Sequence, residues 1–175
     1  RLGASARPAD RATLLQATRG HQRLVETHWF ENDAPRMLDA GLRALNLAET
    51  VGPSPELVRA YATASLAIGS LPIHPLAERY AQLAMETAES VGDPAAEAYA
   101  RFLLCVYRIG TGDWARVDAD LERALAIWEA LGDPRFAGDG QTVQAMSRLY
   151  RGEHARAAAL FEEVEALGRR FENVQ

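Results

Sequence analysis

A repeat of about 40 residues constrains the fold of this chain more than any other feature, because a period in this range is typical of arrays of paired helices. Three similar segments, ALNLAETVG, AMETAESVG and ALAIWEALG, end at Gly52, Gly92 and Gly132, so that successive glycines are evenly spaced. A fourth segment, LFEEVEALG, ends at Gly168, about one helical turn short of the same spacing. The last segment can therefore keep its buried face nearly in phase with the others.

The residues around three of these glycines predict turns between helices. Gly92-Asp93-Pro94 and Gly132-Asp133-Pro134 each provide a glycine for the left-handed conformation past a helix end, an aspartate to cap the next helix, and a proline suited to its first position. Gly52-Pro53-Ser54-Pro55 repeats the scheme with Ser54 as the predicted cap. These glycines and prolines therefore indicate a structural role rather than a nucleotide-binding loop.

A second, more variable turn divides each repeat into two helices, at residues 69–75, 110–114 and 151–154. Composition agrees, because 33 alanines and 21 leucines outnumber 13 isoleucines and valines, and alanine and leucine favour helices. We therefore predict an all-α fold, a right-handed α-solenoid of antiparallel helix hairpins that forms a single domain over residues 1–175. Its eight helices are expected near residues 9–31, 34–51, 56–70, 75–91, 94–110, 114–131, 135–151 and 154–172.

Apolar residues recur at helical spacing in the helix expected at 114–131. Arg116, Asp120 and Arg123 occupy its other face, which we expect to be solvated. Alanines that recur at one position of successive repeats would let helices approach closely. The predicted buried face contains Val117, Leu121, Ala124, Leu125, Trp128 and Leu131, and the repeated alanines are Ala44, Ala84 and Ala124.

Charge and cysteine content exclude several classes of protein. All nineteen basic residues are arginines, and the lack of lysine removes every chemistry that needs an ε-amino group. A net charge of −5 offers no basic surface for direct binding to nucleic acid.

Glycine and proline interrupt the longest uncharged stretch, residues 60–77, so no membrane-spanning helix is predicted. Cys105 is expected to be a small buried side chain, and a single cysteine suits the reducing cytoplasm.

The polar residues show no catalytic or metal-binding constellation. Asp118, Asp120 and Glu122 form the densest acidic group, but arginines on the same helix can offset their charge, so a solvated face is favoured over paired catalytic carboxylates. The histidines lack the spacing of metal ligands, and His154 is expected to pack in a turn. We predict no enzymatic activity, no metal and no cofactor. The histidines are His21, His28, His74 and His154, and the tryptophans expected in the core or the turns are Trp29, Trp114 and Trp128.

Two sets of polar residues repeat in the helices that follow the Gly-Asp-Pro turns. Tyr61, Arg101 and Gln141 share one position of the repeat, and Arg108 and Arg148 share another. Guanidinium groups at repeated positions could bind an acidic peptide or a peptide C-terminus through bidentate hydrogen bonds to a carboxylate. The alternative is that these arginines only keep the surface soluble. These five residues are our candidate partner contacts on a concave face.

The sequence also resembles known families of helical repeats. Gly112-Asp113-Trp114, followed by Ala124-Leu125, resembles the turn and helix pattern of tetratricopeptide repeats. The phrases LRALNLAE, GPSPELVRAY, GTGDW, WEALGDPR and RRFENVQ resemble the helical C-terminal arrays of large bacterial signalling proteins, in which a cyclase domain and a regulatory ATPase precede the repeats. Related arrays occur in large LuxR-type transcription regulators.

The resemblance implies a non-catalytic module for protein–protein or intramolecular regulatory contacts in a larger cytoplasmic signalling protein of the cyclase/ATPase type. Its partner would be a protein or peptide, including neighbouring domains of the same polypeptide, with no membrane contact. The alternative is a ligand- or partner-sensing repeat domain of a LuxR-type regulator. The chain begins at Arg1 rather than Met, so we expect a fragment of a longer array. Its cut ends, at residues 1–31 or 154–175, would expose an apolar face through which copies could associate.

Overall fold

Residues 8–71 and 73–172 are described by the computed structural model, and they form eight α-helices without any strand. The all-α prediction is confirmed, and every helix begins and ends within one residue of its predicted position. The solenoid arrangement and its handedness stay predictions. The helices are α1 (Pro8–Phe30), α2 (Ala34–Val51), α3 (Pro55–Gly69), α4 (His74–Val91), α5 (Pro94–Thr111), α6 (Trp114–Leu131), α7 (Pro134–Tyr150) and α8 (His154–Glu172).

Side-chain caps determine where most of these helices begin. The Asp93 carboxylate accepts a hydrogen bond from the backbone N–H of Ala96 at 2.8 Å, and Ser54 Oγ accepts one from Leu57 at 3.2 Å. Gly92 precedes its cap at a φ of 68°, in the left-handed region that glycine adopts without strain. The predicted turns are therefore confirmed. Aspartates cap three further helices in the same way, namely Asp33 for α2, Asp113 for α6 and Asp133 for α7.

The start of α4 differs from these five helix starts. Its N-cap position is Ile73, whose side chain cannot accept a hydrogen bond from the backbone. Ile73 and Leu71 are both exposed, and Leu76 in the first turn of α4 is exposed as well. The turn between α3 and α4 is therefore apolar and held by backbone hydrogen bonds, such as the one from Ala77 N–H to the Ile73 carbonyl at 3.2 Å.

The chain divides into two compact units, residues 1–100 and 101–175, and the division falls within α5. In the first unit α1 packs against α2 and α3 packs against α4, while α3 also contacts α1 and α2. In the second unit α7 packs against both α6 and α8. The prediction of a single domain over residues 1–175 stays a prediction.

The core of the first unit is built from alanine. Ala44 and Ala84 are buried as predicted, and the absence of larger side chains there allows close helix packing. Leu45 and Leu57 join this core, and Tyr80 packs against it from α4. Alanines on four helices are buried in this unit: Ala40, Ala44, Ala48, Ala60, Ala62, Ala77, Ala81, Ala84, Ala88, Ala96, Ala98 and Ala100.

The core of the second unit contains larger side chains, and Trp128 is the largest that is fully buried there. Trp128 is 2% exposed and lies between Phe102, at 5.6 Å edge-on, and Phe136, at 5.4 Å in a stacked arrangement. The predicted apolar face of α6 is confirmed except at Leu131, which is exposed because it is the last residue of the helix. The confirmed buried residues are Val117, Leu121, Ala124 and Trp128, while Leu125 is half-buried.

Two expectations about aromatic packing are wrong. Trp29 is 57% exposed, because the last turn of α1 is uncovered and the adjacent Phe30 is exposed too. His154 is exposed as the first residue of α8, so it does not fill a turn as Trp114 does in the preceding repeat. Trp114 is half-buried, and the guanidinium of Arg151 lies 5.0 Å over its ring.

Two glycines of α7 provide a matched test of helix packing. A Cβ at Gly140 would come within 2.7 Å of Leu125 Cδ2 and 3.0 Å of Trp128 Cζ3, whereas a Cβ at Gly138 would meet only Leu167 Cδ2 at 3.6 Å. We expect Gly138→Ala to raise the free energy of unfolding by about 0.5–1 kcal/mol through helix propensity. Gly140→Ala should lower it by about 1–2 kcal/mol, because overpacking outweighs that gain.

Urea unfolding followed by far-UV circular dichroism measures both changes. If Gly140→Ala were as stable as Gly138→Ala, the close approach of α6 and α7 at this glycine would be disproved.

Candidate functional site

A groove of about 340 Å³ lies in the first unit and is lined by side chains of α1, of α3 and of the segment that starts α5. Its lining is strongly charged, since three arginines face three acidic residues. Gln22, Pro55 and Ala95 complete the lining. The charged residues are Arg19, Arg23, Glu26, Glu56, Arg59 and Asp93.

A buried carboxylate fixes the floor of the groove. Glu56, in the first turn of α3, is buried and accepts a hydrogen bond from Arg19 Nε at 2.6 Å. Gln22 Nε2 donates to the backbone carbonyl of the same residue at 2.9 Å. Because a buried carboxylate is stable only when it is paired, these contacts tie α1 to α3 along the groove.

An arginine of the groove lies over a tyrosine ring beside it. The Arg59 guanidinium lies over the Tyr99 ring, 4.8 Å from its centre. Burial raises the pKa of the Tyr99 phenol, and the nearby Arg59 charge opposes that rise. Tyr99 therefore stays neutral at ordinary pH and presents its ring to the cation.

The groove follows a repeat position that sequence analysis did not single out. Arg19, Arg59 and Tyr99 occupy the same position of successive repeats, and all three contribute to this groove or to the stack beside it. The sequence therefore contained a signal for this groove, namely the recurrence of arginine or tyrosine at one position of the repeat. The predicted position of Tyr61 lies two residues later, which turns a side chain by about 200° around the helix axis.

Tyr61 is not among the described residues that line the groove, because it packs between helices instead. Its hydroxyl donates to Glu49 Oε1 at 3.3 Å, and its ring centre lies 5.9 Å from that of Tyr80. Burial, followed by the neighbouring Glu49 charge, raises the pKa of the Tyr61 phenol. These contacts join α3 to α2 and α4.

In the second unit Arg101 and Arg108 meet on one carboxylate. Arg101 Nη1 donates to Asp120 Oδ1 at 2.5 Å, and Arg108 Nη1 donates to Asp120 Oδ2. The expectation that Asp120 lies on a solvated face is wrong, since its side chain is only 15% exposed. Its partners come from α5 rather than from its own helix, so spacing within α6 could not predict them. Arg108 is 8% exposed and already occupied by this pair.

Asp118 receives a different pair of arginines. Arg151, which sequence analysis did not identify, binds both Asp118 oxygens at 2.8 Å and donates to the Trp114 carbonyl at 3.2 Å. Arg148 Nη2 lies 3.8 Å from Asp118 Oδ1, and its Nη1 lies 3.5 Å from Glu153. These contacts hold the turn between α7 and α8 against α6.

The five predicted contact residues therefore do not all have the same surroundings. Arg101 and Arg108 converge on Asp120, Arg148 lies near Asp118, and Gln141 is half-buried in α7. Tyr61 belongs to the other unit. That these residues contact a partner stays a prediction.

No three His, Cys, Asp or Glu side chains within residues 8–71 and 73–172 come together in a way that could hold a metal ion. In the same part of the chain, no helix combines the length and apolar character needed to cross a membrane.

Cys105 is fully buried as predicted and lies 3.5 Å from the Val117 carbonyl. Burial is the largest cause that raises the pKa of its thiol to about 12. At pH 8 roughly one thiol in ten thousand would be ionised, and water-soluble reagents cannot reach it. We expect no reaction with a soluble aromatic disulfide in the native chain and one equivalent of reaction after denaturation.

The variant Glu89→Cys is the control for this measurement, because Glu89 is exposed on α4. It should react within the mixing time of the assay. Labelling of native Cys105 at a comparable rate would contradict its burial.

A scan against models of protein families finds no match to this chain, and a search of curated proteins finds no relative. The resemblance to tetratricopeptide-like arrays stays a prediction. Function is therefore inferred from the groove and its charges.

Proposed function

We propose that this chain is a non-catalytic module for protein–protein or intramolecular regulatory contacts within a larger cytoplasmic signalling protein. The observation that carries the proposal is the groove of about 340 Å³. Its lining comes from α1, from α3 and from the segment that starts α5, which are every second helix along this part of the chain. A surface that crosses several helices suits an extended polypeptide segment better than a compact substrate.

The chemistry of the lining also favours binding over catalysis. Among the residues that the structure describes, those lining the groove include no serine, cysteine or histidine, so a nucleophile with an adjacent imidazole base is missing from it. Arg19 and Arg23 form ion pairs with Glu56 and Glu26 within the same unit. Such pairs keep side chains in fixed positions, which lowers the ordering cost when a partner binds.

Site-specific photo-crosslinking in the full-length protein tests this function. A benzophenone amino acid would replace Ala95, which lines the groove, and Glu89 would carry it in the matched control. Mass spectrometry would then identify the crosslinked peptide. We expect position 95 to crosslink one defined polypeptide segment, from the same chain or from another protein, and position 89 not to do so.

A groove position that labels no segment, or the same proteins as position 89, would contradict an interaction module. Removal of residues 1–175 should also change the output of the full-length protein. Retention of a small molecule without any crosslinked segment would instead favour the ligand-sensing alternative.

A further inference from the structure

We propose that the groove in the first unit binds one carboxylate of a partner peptide, held chiefly by the guanidinium of Arg59. This inference rests on the proposed function and names the chemical group that the partner presents to the groove.

Ion pairing within the groove leaves one cation without a counter-charge. Arg19 binds Glu56 at 2.6 Å, and Arg23 binds Glu26 at 2.9 Å. Over the residues that the structure describes, Arg59 has no carboxylate partner and no hydrogen-bond partner. Arg59 is therefore the one arginine of the lining that forms no ion pair with a described carboxylate, although the lining contains equal numbers of arginines and acidic residues.

The position of Arg59 prepares it to bind a planar anion. The Tyr99 ring covers the guanidinium at 4.8 Å. Because contact with the ring face uses none of the five N–H groups in a hydrogen bond, they stay available to an acceptor, and a carboxylate can accept two parallel hydrogen bonds from them. The tyrosine also restricts the arginine side chain, so less conformational entropy is lost on binding.

The two neighbouring arginines can support an anion at this place. Arg19 and Arg23 use one nitrogen each in their ion pairs, so their remaining N–H groups can assist. Asp93 accepts a hydrogen bond from Ala96 N–H as the cap of α5, and its negative charge also lies at the groove.

The single guanidinium without an ion pair favours a carboxylate over a phosphate. One unpaired guanidinium matches the single charge of an Asp or Glu side chain or of a chain terminus. A phosphate group would bring a charge of about −1.5 to −2 at pH 7 next to Glu26, Glu56 and Asp93, and one arginine would not neutralise it.

Titration of the full chain with defined peptides, followed by NMR of the arginine Nε–Hε groups, tests the proposal. The probes are the amidated peptide acetyl-Ala-Ala-Glu-Ala-Ala, its Gln analogue, its phosphoserine analogue and free butyrate, which carries one carboxylate. We expect the Glu peptide to shift the Arg59 resonance in a saturable way, and the Gln peptide not to shift it. Equal binding of the Glu and Gln peptides, or no shift with any probe, would overturn the proposal.

Three variants assign the binding to Arg59. Arg59→Gln should weaken binding of the Glu peptide by about tenfold or more, since a charge-assisted bidentate contact is lost. Arg59→Lys keeps the charge and the packing of the side-chain stem. It lacks the paired N–H donors of the guanidinium, so this variant should also bind the Glu peptide more weakly. Arg43→Gln is the matched control, because Arg43 pairs with Asp39 outside the groove, and its affinity should be unchanged.

Wild-type affinity in both Arg59 variants would reject the site. Tighter binding of the phosphoserine peptide would reject the carboxylate assignment, and butyrate that binds as tightly as the Glu peptide would reject a peptide source. Failure of this titration while position 95 still crosslinks a partner would remove the carboxylate and leave the proposed function standing. If the titration and the crosslinking at position 95 both failed, the carboxylate site and the proposed function would both be rejected.

Discussion

Replacement of Asp120 by alanine is expected to lower the free energy of unfolding by about 3–5 kcal/mol. The Asp120 carboxylate binds Arg101 and Arg108, so its removal leaves two guanidinium groups without their counter-charge. Arg108 is 8% exposed, and its Nε is already buried without a partner among the described residues. Chemical denaturation of the full chain measures this loss as a shift of the unfolding midpoint.

Two further variants separate the buried charge from a general effect of losing an aspartate. Asp39→Ala removes an exposed aspartate that pairs with Arg43 at 2.8 Å, and its unfolding midpoint should not change. Asp120→Ala combined with Arg108→Met should recover part of the lost stability, because the buried charge is then absent. If Asp120→Ala matched Asp39→Ala, the buried pair would have no energetic importance.

The second large effect is expected at Trp128, whose replacement by alanine should lower the free energy of unfolding by about 3–5 kcal/mol. Trp128 is 2% exposed and packs between Phe102 and Phe136, so alanine would leave a cavity between α5, α6 and α7 in the second unit. Thermal unfolding and near-UV circular dichroism would report the loss.

Trp29→Ala is the matched control for this prediction. Trp29 is exposed at the end of α1, and its replacement should change the free energy of unfolding by about 0.5 kcal/mol or less. Equal destabilisation by the two tryptophan variants would show that burial of Trp128 contributes no stability beyond that of an exposed tryptophan.

The helices could be predicted closely because their ends depend on neighbouring residues. A glycine at positive φ, an aspartate cap and a proline at the first position act within a few residues of one another, as Gly92, Asp93 and Pro94 show. Burial of alanines was predictable for the same reason, since a repeated small residue on one helix face indicates close packing. Ala44, Ala84 and Ala124 are all buried.

The candidate site was harder to predict because its contacts join residues that are far apart in sequence. Asp120 lies 12 and 19 residues from its arginine partners, and only their packing shows that they meet. The groove also depends on the side of a helix that faces a neighbour. Periodicity identified Tyr61 and Arg101 as repeated, but it could not show that Arg59 and Tyr99, on another side, make the stacked contact.

The apolar turn between α3 and α4 has a consequence for redesign of the chain. Five helix starts are closed by an aspartate or serine, whereas Ile73 at the start of α4 provides no such bond. Extra residues inserted after Leu71 would therefore break no side-chain cap at the start of α4. We expect this turn to accept an affinity tag or a fluorescent reporter, or to allow the chain to be opened for circular permutation.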